Sequence, residues 1–108
     1  MKFIKLYESF EDIDSICEKY GIRYYTINSD GTVDVDDNVS LSYKRLTKLP
    51  LRFGKVSGDF NFHNNNLISL EGCPESVGVS FACNYNKLTT LKGCPQSVGE
   101  IFILEVID

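Results

Sequence analysis

The chain contains 108 residues, of which 43% are hydrophobic and 24% charged, and its formal net charge is −4. This composition is typical of one soluble globular domain, and it disfavours general nucleic-acid binding, which needs an excess of Lys and Arg to neutralise phosphates. No apolar run approaches the roughly 18 residues of a membrane helix, and Lys2 and Lys5 interrupt the apolar N-terminal residues, unlike a secretory signal. We therefore expect a cytoplasmic location, no membrane partner and reduced cysteines.

The N-terminal segment is predicted to form a helix followed by a β-hairpin. Ser9 is a candidate helix N-cap with Asp12 three residues later, and Gly21 is a plausible stop. The following YYTINSDGTVDV reads as a hairpin with Asp30 and Gly31 in its turn. One helical face is apolar, and its residues are Phe10, Ile13, Ile16, Cys17 and Tyr20.

The acidic residues around this hairpin do not match a calcium loop. They lack the EF-hand spacing and the closing Glu. The alternation in TVDVDDNV instead predicts that the valines face the core and that most of the acids lie in water. The acidic and amide residues concerned are Asp30, Asp34, Asp36, Asp37 and Asn38.

A period of 21 residues organises the chain from position 35 onward. The complete rows are VDDNVSLSYKRLTKLPLRFGK, VSGDFNFHNNNLISLEGCPES and VGVSFACNYNKLTTLKGCPQS, and VGEIFILEVID begins a fourth. The alternating start of each row predicts a half-buried strand, and repeats this short must stack to bury their apolar side chains. Five columns are apolar in every complete row: Val35, Val56 and Val77; Val39, Phe60 and Phe81; Leu41, Phe62 and Cys83; Leu46, Leu67 and Leu88; Leu49, Leu70 and Leu91.

The rows resemble short bacterial leucine-rich repeats of about 20 residues, in which a Leu-Pro step such as Leu49-Pro50 replaces the helix of the return segment. The copies LEGCPESVG (70–78) and LKGCPQSVG (91–99), identical at seven of nine positions, resemble small repeat proteins of bacteriophages. The resemblance implies an α/β fold, namely a short right-handed leucine-rich-repeat-like solenoid. Residues 1–34 would form its helix and hairpin cap, and residues 35–108 three repeats and a C-terminal capping strand, all within one structural domain.

Two asparagines are predicted to form a structural ladder. Asn65 and Asn86 share a column, and successive coils of such a stack lie about 4.8 Å apart. Their amides can satisfy backbone groups left free where each strand ends. Lys44 takes this position in the first row, which predicts an edge repeat with a solvent-open turn.

The cysteines leave a zinc site, a disulfide and buried thiols as alternatives. Zinc is disfavoured because the cysteines are at least ten residues apart and only His63 could join them. Cys73 and Cys94 share a column, so a disulfide is geometrically conceivable, but a reducing compartment favours buried thiols beside prolines. Cys83 is expected to face inward, away from His63. No catalytic residue, metal or cofactor is therefore predicted.

The outward strand positions are predicted to form a protein-binding face, because small polar residues with tyrosines are typical of recognition surfaces. The phage resemblance implies a partner from the host cell, for example a defence protein that is modulated or inhibited in the host cytoplasm. The alternatives are a merely solvated face, self-association into a homo-oligomer through exposed strand edges, and nucleic-acid binding by the basic residues from Lys44 to Lys55, which neighbouring acids weaken. The face comprises Ser40, Ser42, Tyr43, Asp59, Asn61, His63, Asn64, Ser80, Asn84 and Tyr85, with Asn38 and Ala82 also outward.

Overall fold

The computed structural model describes residues 12–103, and its first element is the short helix α1 (Ile13–Lys19). Asp12 is the N-cap, because its carboxylate accepts a hydrogen bond of 3.0 Å from the backbone N–H of Asp14. The expectation of Ser9 as the cap of this helix was therefore wrong, and Ser9 itself lies, with Phe10, outside the described residues. An Asp at the N-cap satisfies a free backbone N–H, and its negative charge interacts favourably with the positive end of the helix dipole.

The helix ends where the sequence predicts, at Gly21. This residue adopts a φ of 69°, and its N–H donates to the carbonyl of Glu18 at 3.2 Å. The N–H of Ile22 donates to the carbonyl of Cys17 at 2.8 Å, which completes a Schellman motif. Ile22 and Cys17 are both buried in the core, so the motif also holds the cap against the repeats.

The predicted hairpin is confirmed as strands β1 (Tyr25–Ile27) and β2 (Val33–Val35), which pair antiparallel. In the turn, Gly31 has a φ of 87° and donates its N–H to the carbonyl of Asn28 at 2.9 Å. The hydroxyl of Tyr25 donates to the carboxylate of Asp14 in α1, and this bond raises the pKa of Tyr25 to about 12. The contact ties the helix to the hairpin.

The repeats build a solenoid of two sheets with a short strand from each coil in each sheet, and the strands pair in parallel except for β1 with β2. The remaining strands are β3 (Val39–Ser40), β4 (Phe53–Val56), β5 (Phe60–Asn61), β6 (Ser76–Val77), β7 (Ser80–Ala82), β8 (Ser97–Val98) and β9 (Ile101–Ile103). The order is β1-β2-β4-β6-β8 in sheet A and β3-β5-β7-β9 in sheet B. Sheet B confirms the period directly, because Val39 pairs with Phe60, Phe60 with Phe81 and Phe81 with Phe102.

The predicted apolar columns form the core between the two sheets. Phe60, Phe62 and Phe81 have no exposed surface, and their ring centroids lie 5.4 to 6.1 Å apart. Each phenylalanine therefore touches a neighbour in its own coil or in the next one. Complete burial of such side chains contributes about 1.5–3 kcal/mol each relative to exposure, which makes this cluster a main source of stability.

The repeated LxGCPxSVG motif makes a turn, a strand and a corner. Gly72 and Gly93 both have a φ of 93° and occupy the turns before Cys73 and Cys94. At the corner, a Cβ added to Gly78 would lie 1.9 Å from the carbonyl oxygen of Ser57 in the previous coil. A Cβ added to Gly99 would likewise lie 1.8 Å from the carbonyl oxygen of Gly78. The motif recurs because coils can stack this closely only where no Cβ intervenes.

The C-terminal end differs from the expected closure. A strand forms within the predicted segment, since β9 pairs with β7. Ile101, Phe102 and Ile103 are 55%, 41% and 44% exposed, whereas Phe81 in the preceding coil is fully buried. Thus β9 extends sheet B by one strand and leaves apolar surface exposed. The rest of the predicted strand, residues 104–108, lies outside the described residues.

Candidate functional site

The asparagine ladder is confirmed at the end of the sheet B strands. Asn65 is buried, and its carbonyl oxygen accepts hydrogen bonds of 3.0 Å from the N–H groups of Lys44 and Leu46. Its amide nitrogen donates to the carbonyls of Leu41 and Phe62 at 2.8 and 2.9 Å. Asn65 therefore joins its own coil to the previous one. The first row has no earlier coil to cap, which explains why Lys44 is tolerated there.

Asn86 repeats this arrangement one coil later. Its side-chain oxygen accepts from the N–H of Leu67 at 3.0 Å, and its amide donates to the carbonyls of Phe62 and Cys83 at 3.1 and 3.0 Å. Both ladder residues thus hold the strand ends in place, and they are structural supports beneath the predicted binding face.

A second ladder at the opposite margin of sheet B escaped the sequence analysis. Asn38 accepts at 2.8 Å from the N–H of Asp59, and Asp59 accepts at 3.1 Å from the N–H and at 2.6 Å from the hydroxyl of Ser80. The signal was a short polar acceptor recurring at the 21-residue period. Asp59, predicted as a binding residue, therefore already satisfies the backbone N–H of Ser80, and the hydroxyl of Ser80, also predicted to bind, already donates to Asp59.

The middle of the face is ordered by a chain of side-chain contacts. Ser42 donates to Asn61 at 3.0 Å, and the same Asn61 oxygen accepts from the N–H of His63 at 3.2 Å. His63 Nδ1 lies 2.7 Å from the side-chain oxygen of Asn64. The ring of Tyr43 meets that of His63 edge-on, with centroids 5.1 Å apart. Four coil-to-coil or neighbouring contacts thus fix the orientation of the predicted site residues before any partner binds.

The predicted site residues at the end of the sheet B strands share an unusual backbone conformation. Tyr43, Asn64 and Tyr85 have φ values of 58°, 59° and 59°. This left-handed region is tolerated by Asn but is uncommon for a bulky side chain. Tyr43 and Tyr85 are nevertheless 71% and 70% exposed, so both rings project from the surface. Sequence periodicity placed these residues in one column, and only the Asn at position 64 signalled a positive φ there.

Two further predicted site residues lie at different depths. Ser40 is exposed on the outer side of β3, as expected. Asn84 is only partly exposed, and its side-chain oxygen is buried without a hydrogen-bond partner in the described part of the chain. Asn84 therefore lies partly below the surface of the face. Ala82 was expected to point outward, but it is buried, so that expectation was wrong.

The basic residues between positions 44 and 55 do not form one patch. Lys44 and Arg45 follow β3 in sheet B, whereas Lys55 lies in β4 of sheet A. Arg52 donates to the backbone carbonyl of Asp30 and supports the hairpin turn. The alternative of nucleic-acid binding through this cluster loses its geometric basis, since the charges are spread around a coil.

No disulfide joins the cysteines within residues 12–103. Burial and the neighbouring Cys83 and Cys94 raise the pKa of the Cys73 thiol above its ordinary value, which disfavours its reactive thiolate. Cys83 is fully buried, as expected, whereas His63 is partly exposed. In the same range, no cluster of three or more His, Cys, Asp or Glu side chains is arranged to hold a metal ion.

No protein-family model matches the chain, and comparisons with curated proteins and with solved structures found no significant similarity. Within the described residues, none of the helical structure is long and apolar enough to span a membrane.

Proposed function

We propose that the protein is a non-enzymatic binding module that recognises a partner protein with the outer face of sheet B. The observation that carries this proposal is that two exposed tyrosines at positive φ, Tyr43 and Tyr85, lie in one column of this face. The left-handed conformation costs a residue with a Cβ about 1–2 kcal/mol, and an exposed ring offers no compensating burial. Asn64, between them, tolerates this backbone conformation better than Tyr does. Tyrosine in the outer two positions is thus better explained by recognition than by folding.

The rest of the face supports the same role. The contacts among Ser42, Asn61, His63 and Asn64 hold the surface in one arrangement, so little conformational entropy would be lost on binding. Tyrosine side chains contribute disproportionately to interface energies because they bring large rigid surfaces with a polar tip. The resemblance to bacteriophage repeat proteins directs the proposal to a host-cell protein as the partner, which binding would modulate or inhibit.

The test is a quantitative pull-down from bacterial lysate with a Tyr43→Asn/Tyr85→Asn double variant. Asn suits the positive φ at both sites, so we expect the free energy of unfolding in urea to rise by about 1 kcal/mol per site. Partner recovery is expected to fall by at least about tenfold.

The matched control is Tyr24→Asn. Tyr24 also has a positive φ, 56°, and is 71% exposed, but it precedes β1 in sheet A. This variant should gain similar stability and keep its partner. Equal recovery by the double variant and the unsubstituted protein would show that this face does not bind.

A second candidate function is self-association through β9. Ile101, Phe102 and Ile103 form an exposed apolar strand at the edge of sheet B, and such edges pair readily with other strands. Sedimentation velocity between low and high micromolar concentrations should then show a dimer that Ile101→Lys/Ile103→Lys converts to monomer. A monomer at every concentration before substitution would rule this function out.

A further inference from the structure

Two side-chain columns at the end of the sheet B strands repeat with the same two-coil period. One is Tyr43, Asn64 and Tyr85, and the other is Arg45, Asn66 and Lys87. Backbone hydrogen bonds keep the coils in register here: Asn64 N–H donates to Asn84 at 3.0 Å, Asn66 N–H to Leu46 at 2.8 Å and Lys87 N–H to Leu67 at 2.9 Å. Two coils correspond to about 9.6 Å, since neighbouring strands lie about 4.8 Å apart. Aromatic rings and cationic groups therefore recur together every 9.6 Å or so.

This spacing discriminates between extended ligand conformations. A polyproline II helix has three residues per turn and rises about 3.1 Å per residue, so equivalent side chains recur about every 9.3 Å. Side chains on one face of a β-strand recur about every 6.7 Å, which fits neither one coil nor two. Polyproline II segments also dock between aromatic side chains in known recognition modes.

We infer that this edge of the solenoid binds an acidic polyproline II segment of a partner protein, lying along the solenoid axis with one helical turn between Tyr43 and Tyr85. The inference rests on the proposed function and names the chemistry of its partner. Proline rings would pack on the two tyrosines. Carboxylates one turn apart would pair with Arg45 and Lys87.

Asn64 lies between the two tyrosines, where its side-chain amide can bind the backbone of a polyproline II ligand. Its side-chain oxygen is engaged by Nδ1 of His63 at 2.7 Å. Its side-chain amide nitrogen carries two N–H donors, which can donate to a ligand carbonyl. Polyproline II carbonyls have no internal hydrogen bonds, so each one accepts readily from a protein amide. The Tyr43 ring, held edge-on by His63 at 5.1 Å, flanks the same point.

The two cationic side chains at this edge call for a ligand of opposite charge, that is, an acidic one. Arg45 and Lys87 are exposed, and the ion pair within residues 12–103 joins Arg23 to Asp37 instead, at 3.7 Å. The two cations thus stand at a local basic edge of a chain whose net charge is −4. The opposite margin of the face carries the carboxylate of Asp59. This polarity favours a peptide with carboxylates along one side over a nucleic acid, which would bring phosphates against Asp59 as well.

The experiment measures fluorescence anisotropy of labelled peptides with the full chain. The probe is three repeats of Pro-Pro-Glu, which span about 28 Å as polyproline II. The control peptides are three repeats of Pro-Pro-Lys, with reversed charge, and of Gly-Gly-Glu, with the same charge but no polyproline II preference. A single-stranded thymidine oligonucleotide represents the nucleic-acid alternative.

We expect only the Pro-Pro-Glu peptide to bind. Its Kd should rise at least about tenfold in Tyr43→Asn/Tyr85→Asn and, at low salt, in Arg45→Asn/Lys87→Gln. It should be unchanged in Tyr24→Asn, and far-ultraviolet circular dichroism would verify that each variant is folded. Equal binding of the Gly-Gly-Glu peptide, unchanged binding by the double tyrosine variant, no binding of any peptide, or preferential binding of the oligonucleotide would each overturn the inference.

The outcomes also separate this inference from the proposed function. If no peptide binds but the double tyrosine variant still loses its lysate partner, the ligand chemistry is wrong and the binding face stands. If the lysate partner is retained by that variant, the proposed function fails, and the inference fails with it.

Discussion

Asn65 shows how much of this fold depends on single side chains. Four hydrogen bonds of 2.8 to 3.0 Å connect its amide to backbone groups in two coils, and the residue is buried. The strands here are two or three residues long, so their ends leave many backbone groups to satisfy. One amide replaces the water that these groups would otherwise require.

Asn65→Ala should therefore destabilise the protein severely. Two backbone N–H groups and two carbonyls would lose a buried partner, and we expect the free energy of unfolding to fall by about 3–5 kcal/mol. Urea unfolding measures the change.

The adjacent Asn66→Ala is the matched control. The backbone N–H of Asn66, which donates to Leu46 at 2.8 Å, is unaffected by the substitution. Its cost should stay within about 0.5 kcal/mol. Equal losses in the two variants would mean that the ladder is not a main stabilising feature.

Some residue roles could be predicted from the sequence and others could not. The Asn65–Asn86 ladder could be predicted because a polar residue recurs where the apolar pattern ends. The positive φ of Tyr43 and Tyr85 could not, since it is a property of the backbone and Tyr is an unusual choice for it. Asn64 in the same column was the available signal, because Asn commonly occupies left-handed positions.

At the level of elements, short strands persist here because the coils touch at glycine corners. Strand β6 contains two residues, Ser76 and Val77, and is followed at once by Gly78. Such a strand has no independent stability, and its position depends on the adjacent coils. The close approach of Gly78 to Ser57, and of Gly99 to Gly78, sets the spacing of sheet A.

Gly78→Ala and Gly99→Ala should each disturb this stacking. The added methyl group would lie under 2 Å from a backbone carbonyl oxygen, which cannot move without shifting its coil. We expect a loss of about 2–3 kcal/mol from each, measured by thermal or urea unfolding.

Gly21→Ala separates this steric effect from backbone strain. Gly21 has a φ of 69°, but an added Cβ would meet nothing within 4 Å. Its substitution should cost only about 1 kcal/mol. Corner variants no more costly than Gly21→Ala would contradict the steric explanation.

The hairpin strands of sheet A were predicted, but its strands within the repeats were not. Strands β6 and β8 are Ser-Val pairs with one apolar residue each, so only the valine column marked them. The row pattern therefore predicted one strand per coil, and the return segment was interpreted as a turn at Cys-Pro. Sheet B was predictable because apolar residues alternate in it for four or more positions.

For the molecule as a whole, the two described ends of the solenoid differ in how well they are covered. Cys17 and Ile22 of the cap are buried against the first coil, whereas Ile101 and Phe102 of the last described coil remain exposed. In a stack whose coils contact mainly their neighbours, local stability should fall toward the exposed end.

Hydrogen exchange can detect this gradient with three equivalent amides. The N–H groups of Leu41, Phe62 and Cys83 each donate to the next coil, at 2.7, 3.0 and 2.9 Å. We expect Cys83 to exchange at least about tenfold faster than Leu41, with Phe62 closer to Leu41. The same protection at all three amides would indicate one fully cooperative unit instead.

The fixed 21-residue register has a consequence for how such a face could be changed. Another copy of residues 77–97, inserted between coils, would increase the distance between the tyrosines on its two sides by about 4.8 Å. The corners on either side would not change. The number of coils would then set the length of the segment that can bind. The residue type at positions 43, 64 and 85 would determine which coils contact that segment.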